Sequence, residues 1–578
     1  MYSRTHTCNE LGMEMVNNRV TLTGWVNRRR DHGGLIFIDL RDRFGITQVV
    51  FRPEKDKALH TRASDLRSEW VLRIEGVVLH RGDGLENPKL KTGAIEVEVA
   101  KLEILSKAKT PPFSICDDSI NVNEELRLKY RYLDIRRGEI MENLLVRHHA
   151  MQKTRNYLSR QDFIEVSTPI LAKSTPEGAR DYLVPSRIAP GNFYALPQSP
   201  QIFKQLLMIS GLDRYFQISP SFRDEDLRAD RQPEFHQIDM EMSFGNEEQF
   251  FPIIEGLMEE LFCVKGPFRR MPYSVAIEKY GTDKPDLRFG MPLVRIDDIA
   301  KKSEFSVFLN CAGAIKGLCV PGGGELSRRQ IDDYTAFVGK FGAHGLAWMK
   351  LTEEGLTSSI VKFFPKAVQE ELVERMEAKV GDLLLFVAAD DAITNQALDH
   401  LRRHIAKERK LIGKGFEFCW ITEFPLMGID KETGEYTCEH NPFTMVHEED
   451  ISLLDSDPLK VRSCAYDLVL NGYELGSGSQ RIHDNTLQQK IFELLKLDEN
   501  AIKNRFGFFI EALQYGTPPS LGIGLGFDRI VMLLAGNDNI RDVIAFPKTQ
   551  RASDLMSDAP SPVVGEQLEA LKIHVEVE

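Results

Sequence analysis

Phe222-Arg223-Asp224-Glu225-Asp226-Leu227-Arg228-Ala229-Asp230-Arg231-Gln232-Pro233-Glu234-Phe235 is followed directly by His236-Gln237-Ile238-Asp239-Met240-Glu241-Met242-Ser243-Phe244. The first run carries three arginines and five acids. The second alternates, with Ile238, Met240 and Met242 on one side and Gln237, Asp239 and Glu241 on the other. That period predicts a strand with one apolar and one polar face. A polar face on an antiparallel strand is commonly solvent. Arginines in the loop just before it point instead to a cleft for a phosphate-bearing ligand, because a guanidinium offers a planar fork to phosphate oxygens and stays charged.

A second element lies near the C-terminus: Gly522-Ile523-Gly524-Leu525-Gly526-Phe527-Asp528-Arg529, then Ile530, Val531, Leu533, Leu534 and Gly536. It reads as a glycine-rich strand running into a short apolar helix that Gly536 can end. Arg529 falls in the first turn, where free N–H groups favour anions. The spacing is not the dinucleotide fingerprint, which opens the helix of a βαβ unit. Alone, these glycines read as tight sheet packing.

Together the two elements resemble the second and third signature motifs of class II aminoacyl-tRNA synthetases, and the wording around them is similar to the bacterial-type aspartyl subgroup. Supporting strings are Thr175 to Arg187, Gln198-Ser-Pro-Gln-Ile-Phe-Lys204 and Gly472-Tyr-Glu-Leu-Gly-Ser-Gly-Ser-Gln-Arg481. The likeness runs essentially from end to end. It implies an α+β multidomain chain: an N-terminal OB-fold barrel, an antiparallel-sheet catalytic core of the class II synthetases and an inserted α+β domain.

Bulk properties bound this reading. A chain of 578 residues has room for about four domains at roughly 150 residues each. No apolar run approaches the ~20 residues of a membrane span, and the N-terminus has no signal-peptide core. Eight scattered cysteines, with no C-x-x-C, suit a reducing cytoplasm and argue against structural zinc. The net charge of −13 runs against the usual basic nucleic-acid binder. Binding depends on local patches, however, and Arg28-Arg29-Arg30 is one; it predicts modest, salt-sensitive RNA affinity.

Along the chain, residues 1–106 read as short strands without a convincing helix: Val20–Val26, Leu35–Leu40, Ile46–Phe51, Trp70–Val78 and Ile95–Val99. Five strands in so short a span suggest a small closed barrel of the OB type, whose usual devices are basic side chains and stacking aromatics. Arg30, Phe37 and Gln48 lie on or beside adjacent strands and resemble residues that read anticodon bases. Residues 107–123 form a linker with Pro111-Pro112. The first part of the core spans 124–289, the insert 290–412, and the second part with a C-terminal tail 413–578. Leu144, Leu145, His148, Met151 and Leu158 recur at helical spacing. Phe163 to Pro169 resembles the first class II motif, which implies a homodimer. Ser199-Pro200 opens another helix, with Ser199 as N-cap and Gly211 as stop. The insert contains Pro321-Gly322-Gly323-Gly324-Glu325, a turn-rich loop rather than a phosphate cradle.

The implied chemistry joins a carboxylate to the α-phosphorus of ATP and expels pyrophosphate. Positioning and electrostatics dominate such a step. By the resemblance, Arg223 contacts the α-phosphate and the reacting carboxylate, and Arg529 takes the γ-phosphate. Phe235 stacks on adenine, and Glu225, Gln232 and Gly526 help hold the nucleotide. Asn471-Gly472 is a two-residue hairpin signal that pairs Leu470 with Tyr473 and Val469 with Glu474, so Asp467 and Glu474 share one sheet face. Two such acids are either solvated or joined by a cation; the resemblance makes them Mg2+ ligands, with Glu474 also at the nucleotide. For L-aspartate it implies Arg481 and Lys204 on the side chain, Glu177 and Gln201 on the α-amino group, Ser199 and Asp239 in support, and His440 in contact with substrate. A site built to pair a carboxylate leaves charges unpaired when offered asparagine, so rejection can reach ~10⁴-fold or more without editing.

Within the family one departure bears on the RNA. His32, in Arg30-Asp31-His32-Gly33-Gly34, and Gly84, in Arg81-Gly-Asp-Gly84, resemble the relaxed branch that charges tRNA(Asn) as well as tRNA(Asp). Strict enzymes tend to carry leucine and lysine there. The relaxed branch implies an amidotransferase acting downstream. The alternatives are a strict tRNA(Asp) enzyme, an asparaginyl- or lysyl-type synthetase, an ammonia-dependent asparagine synthetase, and a non-catalytic RNA-binding relative. The N-terminal barrel argues against the asparagine synthetase, and the intact arginines and acids against the last.

Overall fold

The computed structural model describes residues 3–117, 120–175, 178–430, 432–496 and 499–576. It divides into two compact units, Met1–Leu145 with Ile544–Ser561, and Val146–Val543 with Pro562–Glu578.

In the first unit, strands Arg19–His32, Leu35–Arg41, Ile46–Phe51, Val71–His80 and Ile95–Ser106 close into a barrel in which the last strand lies between the third and fourth. Alternation fills it: Val20, Leu22, Val26, Ile36, Ile38, Leu40, Leu72 and Ile74 point inward and are buried. Gly33 and Gly34 both have positive φ, 61° and 77°, which is what a two-residue hairpin with the right twist requires. The barrel also holds a helix, Lys57–Ser64, where the sequence reading expected none. Asp56 caps it, its side chain accepting from Leu59 N, and Leu59 and Ala63 bury one turn apart. At eight residues it is too short for a clear period; the cap was its only strong signal.

The second unit is built on an eight-stranded sheet. Its order is Arg269–Pro272, Phe418–Thr422, Ala465–Leu470, Tyr473–Gln480, Ser520–Gly526, Glu234–Ser243, Arg214–Phe222 and Ile164–Glu165. The central strands pair antiparallel; only the pairs at the two edges run parallel. The helix Gly138–Arg160 precedes the edge strand. Helix Gln201–Ile209 begins one residue later than the sequence suggests: Pro200 is its N-cap, and Ser199 Oγ accepts from Gln201 N at 3.3 Å.

Between Tyr280 and Phe418 the chain leaves this sheet and builds a five-stranded antiparallel one, running from Leu293–Arg295 to Leu383–Ala389. Helices Arg328–Gly339 and Asp391–Glu408 share one apolar cluster with it. The helices Ser306–Leu309 and Lys366–Arg375 share another. The buried Arg402 ties this lobe to its entry segment, donating to the carbonyls of Asp286, Phe289, Gly290 and Met291.

Candidate active site

The strand Glu234–Ser243 lies between Arg214–Phe222 and Ser520–Gly526. Its polar side is buried rather than solvated, with Asp239 at 1% and Glu241 at 0% exposure. The register explains the glycines. Gly522 sits opposite Glu241 and Gly524 opposite Asp239. A Cβ at Gly522 would fall 1.8 Å from Glu241 Oε2, and one at Gly524 3.2 Å from Asp239 Oδ1. The glycines therefore keep the floor open for carboxylates.

Those carboxylates are met by two buried cations. Lys204, from the helix Gln201–Ile209, donates to Asp239 Oδ1 at 3.0 Å and lies 3.8 Å from Glu241 Oε2. Ser219 donates to the other oxygen of Asp239. Arg481 makes a two-point contact with Glu241, at 2.8 and 3.0 Å, and donates to Ser479 Oγ. Burial pulls the Arg481 guanidinium down most, but the charge and hydrogen bonds of Glu241 together with Tyr466 and Asp239 outweigh it, and the net shift is upward. Alternation in the sequence puts Glu241 on the polar face, but its pairing with Arg481 follows only from the fold. Gln201, on the same helix as Lys204, is buried with its Nε2 unpartnered among the described residues. Glu177 lies outside the described residues.

His440 Nδ1 is 3.2 Å from Ser477 Oγ, and the ring packs edge-on against Phe424. Burial lowers its pKa to about 4, against the opposing pull of Glu474 and Asp283, and Arg481 adds to the lowering. The imidazole is therefore neutral near pH 7 and can donate or accept a hydrogen bond.

Residues 223–233 form the loop between two sheet strands, closed at its neck by Arg223 N donating to Pro233 O at 2.9 Å. The Arg223 guanidinium stands 5.1 Å over the Phe235 ring, and among the described residues it has no carboxylate partner. Glu225 pairs with Arg231 at 3.1 Å, and Gln232 is buried. Arg529 lies in the first turn of the helix Phe527–Leu534, which follows Gly526 as N-cap. It donates to the backbone carbonyl of Glu474 and pairs with Asp230 at 3.1 Å. Asp528 fixes that turn: it accepts from His236 N at 2.7 Å and pairs with Arg147, itself stacked on Phe527. Arg147 carried no sequence signal, and the motif containing Asp528 did not show that Asp528 fixes this turn.

The hairpin at Asn471-Gly472 has the register its turn demands, Leu470 with Tyr473 and Val469 with Glu474. A bulge follows, so Asp467 faces Ser477. Asp467 is buried and its Oδ1 has no partner among the described residues. Burial first, then Glu474, raises its carboxyl pKa well above the ordinary value. Asp283 adds to that field. A buried carboxylate oxygen without a donor, beside further acids, fits a hard cation bound through oxygen.

In the barrel unit, Arg30 pairs in register with Phe37, and its guanidinium reaches Asp39 at 2.7 Å and Gln48 at 3.0 Å. Gln48 is buried and also donates to Glu96. His32 is exposed beside the Gly33-Gly34 turn. Gly84 has φ +80° and open space where a Cβ would stand.

The chain thus combines an antiparallel core that holds a buried cation–carboxylate network with a small closed barrel. The chain belongs to the class II tRNA synthetases of the D, K and N group, whose family model matches residues 123–550, and residues 20–105 match the OB-fold nucleic acid binding domain. It is 60% identical to the aspartate–tRNA(Asp/Asn) ligase of Protochlamydia amoebophila over 99% of this chain and 98% of that one. It is also 60% identical to the protein of the same name from Chlamydia muridarum, over 99% of each chain. The fold matches the asparaginyl-tRNA synthetase of Pyrococcus horikoshii solved with asparaginyl-adenylate, at TM-score 0.59 and 20% identity, covering 95% of this chain and 99% of that one. The aspartyl-tRNA synthetase of Entamoeba histolytica matches at TM-score 0.57 and 19% identity, covering 94% and 91%. No helix among the described residues is long and apolar enough to cross a membrane.

Proposed function

We propose that this chain attaches L-aspartate to tRNA(Asp) and tRNA(Asn) through an aspartyl-adenylate, with ATP as the activating substrate. The observation that carries the amino-acid choice is the buried set Lys204, Asp239, Glu241 and Arg481. Arg481 and Lys204 carry more N–H donors than Asp239, Glu241 and Ser479 take up, so a substrate carboxylate can still be hydrogen-bonded by both cations. Asparagine brings no such charge and leaves the cations facing a neutral amide.

In activation, the aspartate α-carboxylate attacks the α-phosphorus of ATP and pyrophosphate leaves. Both reactants are anions, so the protein's work is to neutralise and align them. Arg223 serves the α-phosphate and the incoming carboxylate from its place over Phe235, whose ring takes adenine. Glu225, Gln232 and Gly526 hold the rest of the nucleotide. Arg529 serves the γ-phosphate, which must displace Asp230. Glu177 and Gln201 take the α-ammonium, with Ser199 and Asp239 behind them, and the neutral His440 hydrogen-bonds the substrate. Asp467 and Glu474 would hold Mg2+, which screens phosphate charge when bound. In the transfer step a tRNA ribose hydroxyl attacks the aspartyl carbonyl and AMP departs.

Residues 1–106 serve as the anticodon-binding domain, with Arg30, Phe37 and Gln48 at the bases and His32 and Gly84 setting which anticodons are admitted. Residues 107–123 link it to a core of 124–289 and 413–578, interrupted by the insert 290–412. The working form is a homodimer in the cytoplasm, followed by an amidotransferase that converts the Asp-tRNA(Asn) product. Pyrophosphate exchange tests the core of this reading: it should require L-aspartate and Mg2+. Exchange with asparagine or lysine instead would overturn it.

A further inference from the structure

The acid pocket around Asp467 holds a cation of its own. Helix Tyr273–Tyr280 ends at Gly281, φ +71°, where a Cβ would strike the backbone oxygen of Asn395 at 2.4 Å. The chain then turns through Thr282, whose hydroxyl accepts from Lys284 N at 3.3 Å. It passes Gly472 so closely that a Cβ there would stand 3.3 Å from Asp286 Cβ. This path brings Asp283 and Lys284 to the Asn471-Gly472 hairpin. Lys284 Nζ lies 3.5 Å from Glu474 Oε2 and 3.7 Å from Asp283 Oδ1.

We propose that Lys284 is the resident counter-ion of this pocket: its ammonium occupies the rim between Asp283 and Glu474 while no divalent cation is bound, and withdraws when one binds. The inference rests on reading Asp467 and Glu474 as the metal pair. Three features support it. Three acids (Asp283, Asp467, Glu474) gather around one ammonium, so the pocket offers more oxygen acceptors than Lys284 can neutralise. Both Lys284 contacts are at the long end of polar contact, and its side chain is 45% exposed. It is therefore held by charge rather than by fixed hydrogen bonds, and its flexible stem can carry the head into water. Finally, Lys284 leaves Asp467 Oδ1 unmet. The innermost acceptor stays available to a hard oxygen-seeking ion while the outer acids are neutralised.

A counter-ion that must be displaced weakens the ion that displaces it. Removing the ammonium should therefore tighten divalent binding before any nucleotide is present, by roughly fivefold, the ratio that a half-exposed ion pair is worth. Mn2+ is the probe, its free concentration followed by electron paramagnetic resonance during titration of the full chain without ATP. Lys284→Met keeps the stem and should bind Mn2+ more tightly than the parent; Lys284→Arg keeps the charge and should stay near it. Asp467→Asn should abolish binding in both backgrounds. A purely structural lysine would lower the thermal midpoint of Lys284→Met without tightening Mn2+. Unchanged or weaker Mn2+ binding in Lys284→Met, or no binding by it, overturns the counter-ion. If Asp467→Asn binds Mn2+ like the parent, the metal pair fails and the counter-ion with it. If Asp467→Asn loses binding while Lys284→Met matches the parent, only the counter-ion is wrong.

Discussion

Arg481 and Glu241 are 240 residues apart in the chain and meet in a buried two-point pair, with hydrogen bonds of 2.8 and 3.0 Å. Glu241 lies on the strand Glu234–Ser243 and Arg481 directly follows the strand Tyr473–Gln480, with the strand Ser520–Gly526 between the two. Both are almost wholly buried, at 3% and 0% exposure, so neither charge is stable there without the other.

Glu241→Gln keeps the shape and removes the charge. Leaving a buried charge uncompensated costs about 3–5 kcal/mol, so the thermal midpoint should fall. L-aspartate should then raise it by more than in the parent, because the ligand's carboxylate supplies the missing partner of Arg481. Equal stabilisation of both proteins by L-aspartate would mean that Arg481 does not face the substrate.

Arg529→Ala should reduce aspartate-dependent pyrophosphate exchange by ~10³-fold or more, the value of an arginine at a phosphoryl-transfer site. The variant also frees Asp230 and the Glu474 carbonyl, so folding should be checked by circular dichroism. A loss under about tenfold in a folded protein would refute a role of this size.

His440 gives a pH signature. Its folded pKa of about 4 lies below the ordinary 6.5. The unfolded chain therefore takes up the proton first, and stability is lost as the pH falls from about 6.5 towards 4. The loss from this group alone approaches about 3 kcal/mol at the acid end. Glu474 and Asp283 oppose the shift and Arg481 reinforces it. Urea unfolding at pH 7 and pH 5 should show a smaller difference for His440→Gln than for the parent; an identical difference would contradict a buried neutral imidazole.

Purified tRNA(Asn) transcript should be charged alongside tRNA(Asp). His32→Leu with Gly84→Lys should narrow charging towards tRNA(Asp). There is space for the lysine, but φ +80° at Gly84 disfavours it by about 1–2 kcal/mol, so His32→Leu alone is the cleaner variant. No charging of tRNA(Asn) above background by the parent would mark a strict enzyme.

Ile164, Ile170 and Leu171 are 50%, 46% and 53% exposed, around the Pro169 segment assigned to the dimer. Exposed apolar side chains so close in sequence suit a two-fold interface. Light scattering at micromolar concentration should give twice the chain mass, and Leu171→Asp should shift it towards the monomer. A monomeric parent would contradict the assignment.

The sequence by itself determined the elements whose signal is local. Alternation marked Glu234–Ser243 and, more loosely, the barrel strands; Asn471-Gly472 marked a hairpin and its register, and two arginine-bearing motifs marked the family. These follow from period and turn chemistry, which neighbouring residues decide among themselves. The helix Lys57–Ser64 escaped because eight residues hold too few turns to show a period. Tertiary structure alone decided that the polar face of Glu234–Ser243 is buried, that Gly522 and Gly524 clear space for Glu241 and Asp239, and that Arg147 fixes Asp528. It alone brought Lys284 to the acids at the hairpin. A carboxylate on a strand carries the same local pattern whether it meets water or a guanidinium 240 residues away. The partner is chosen by strand order and register, which only the folded chain contains.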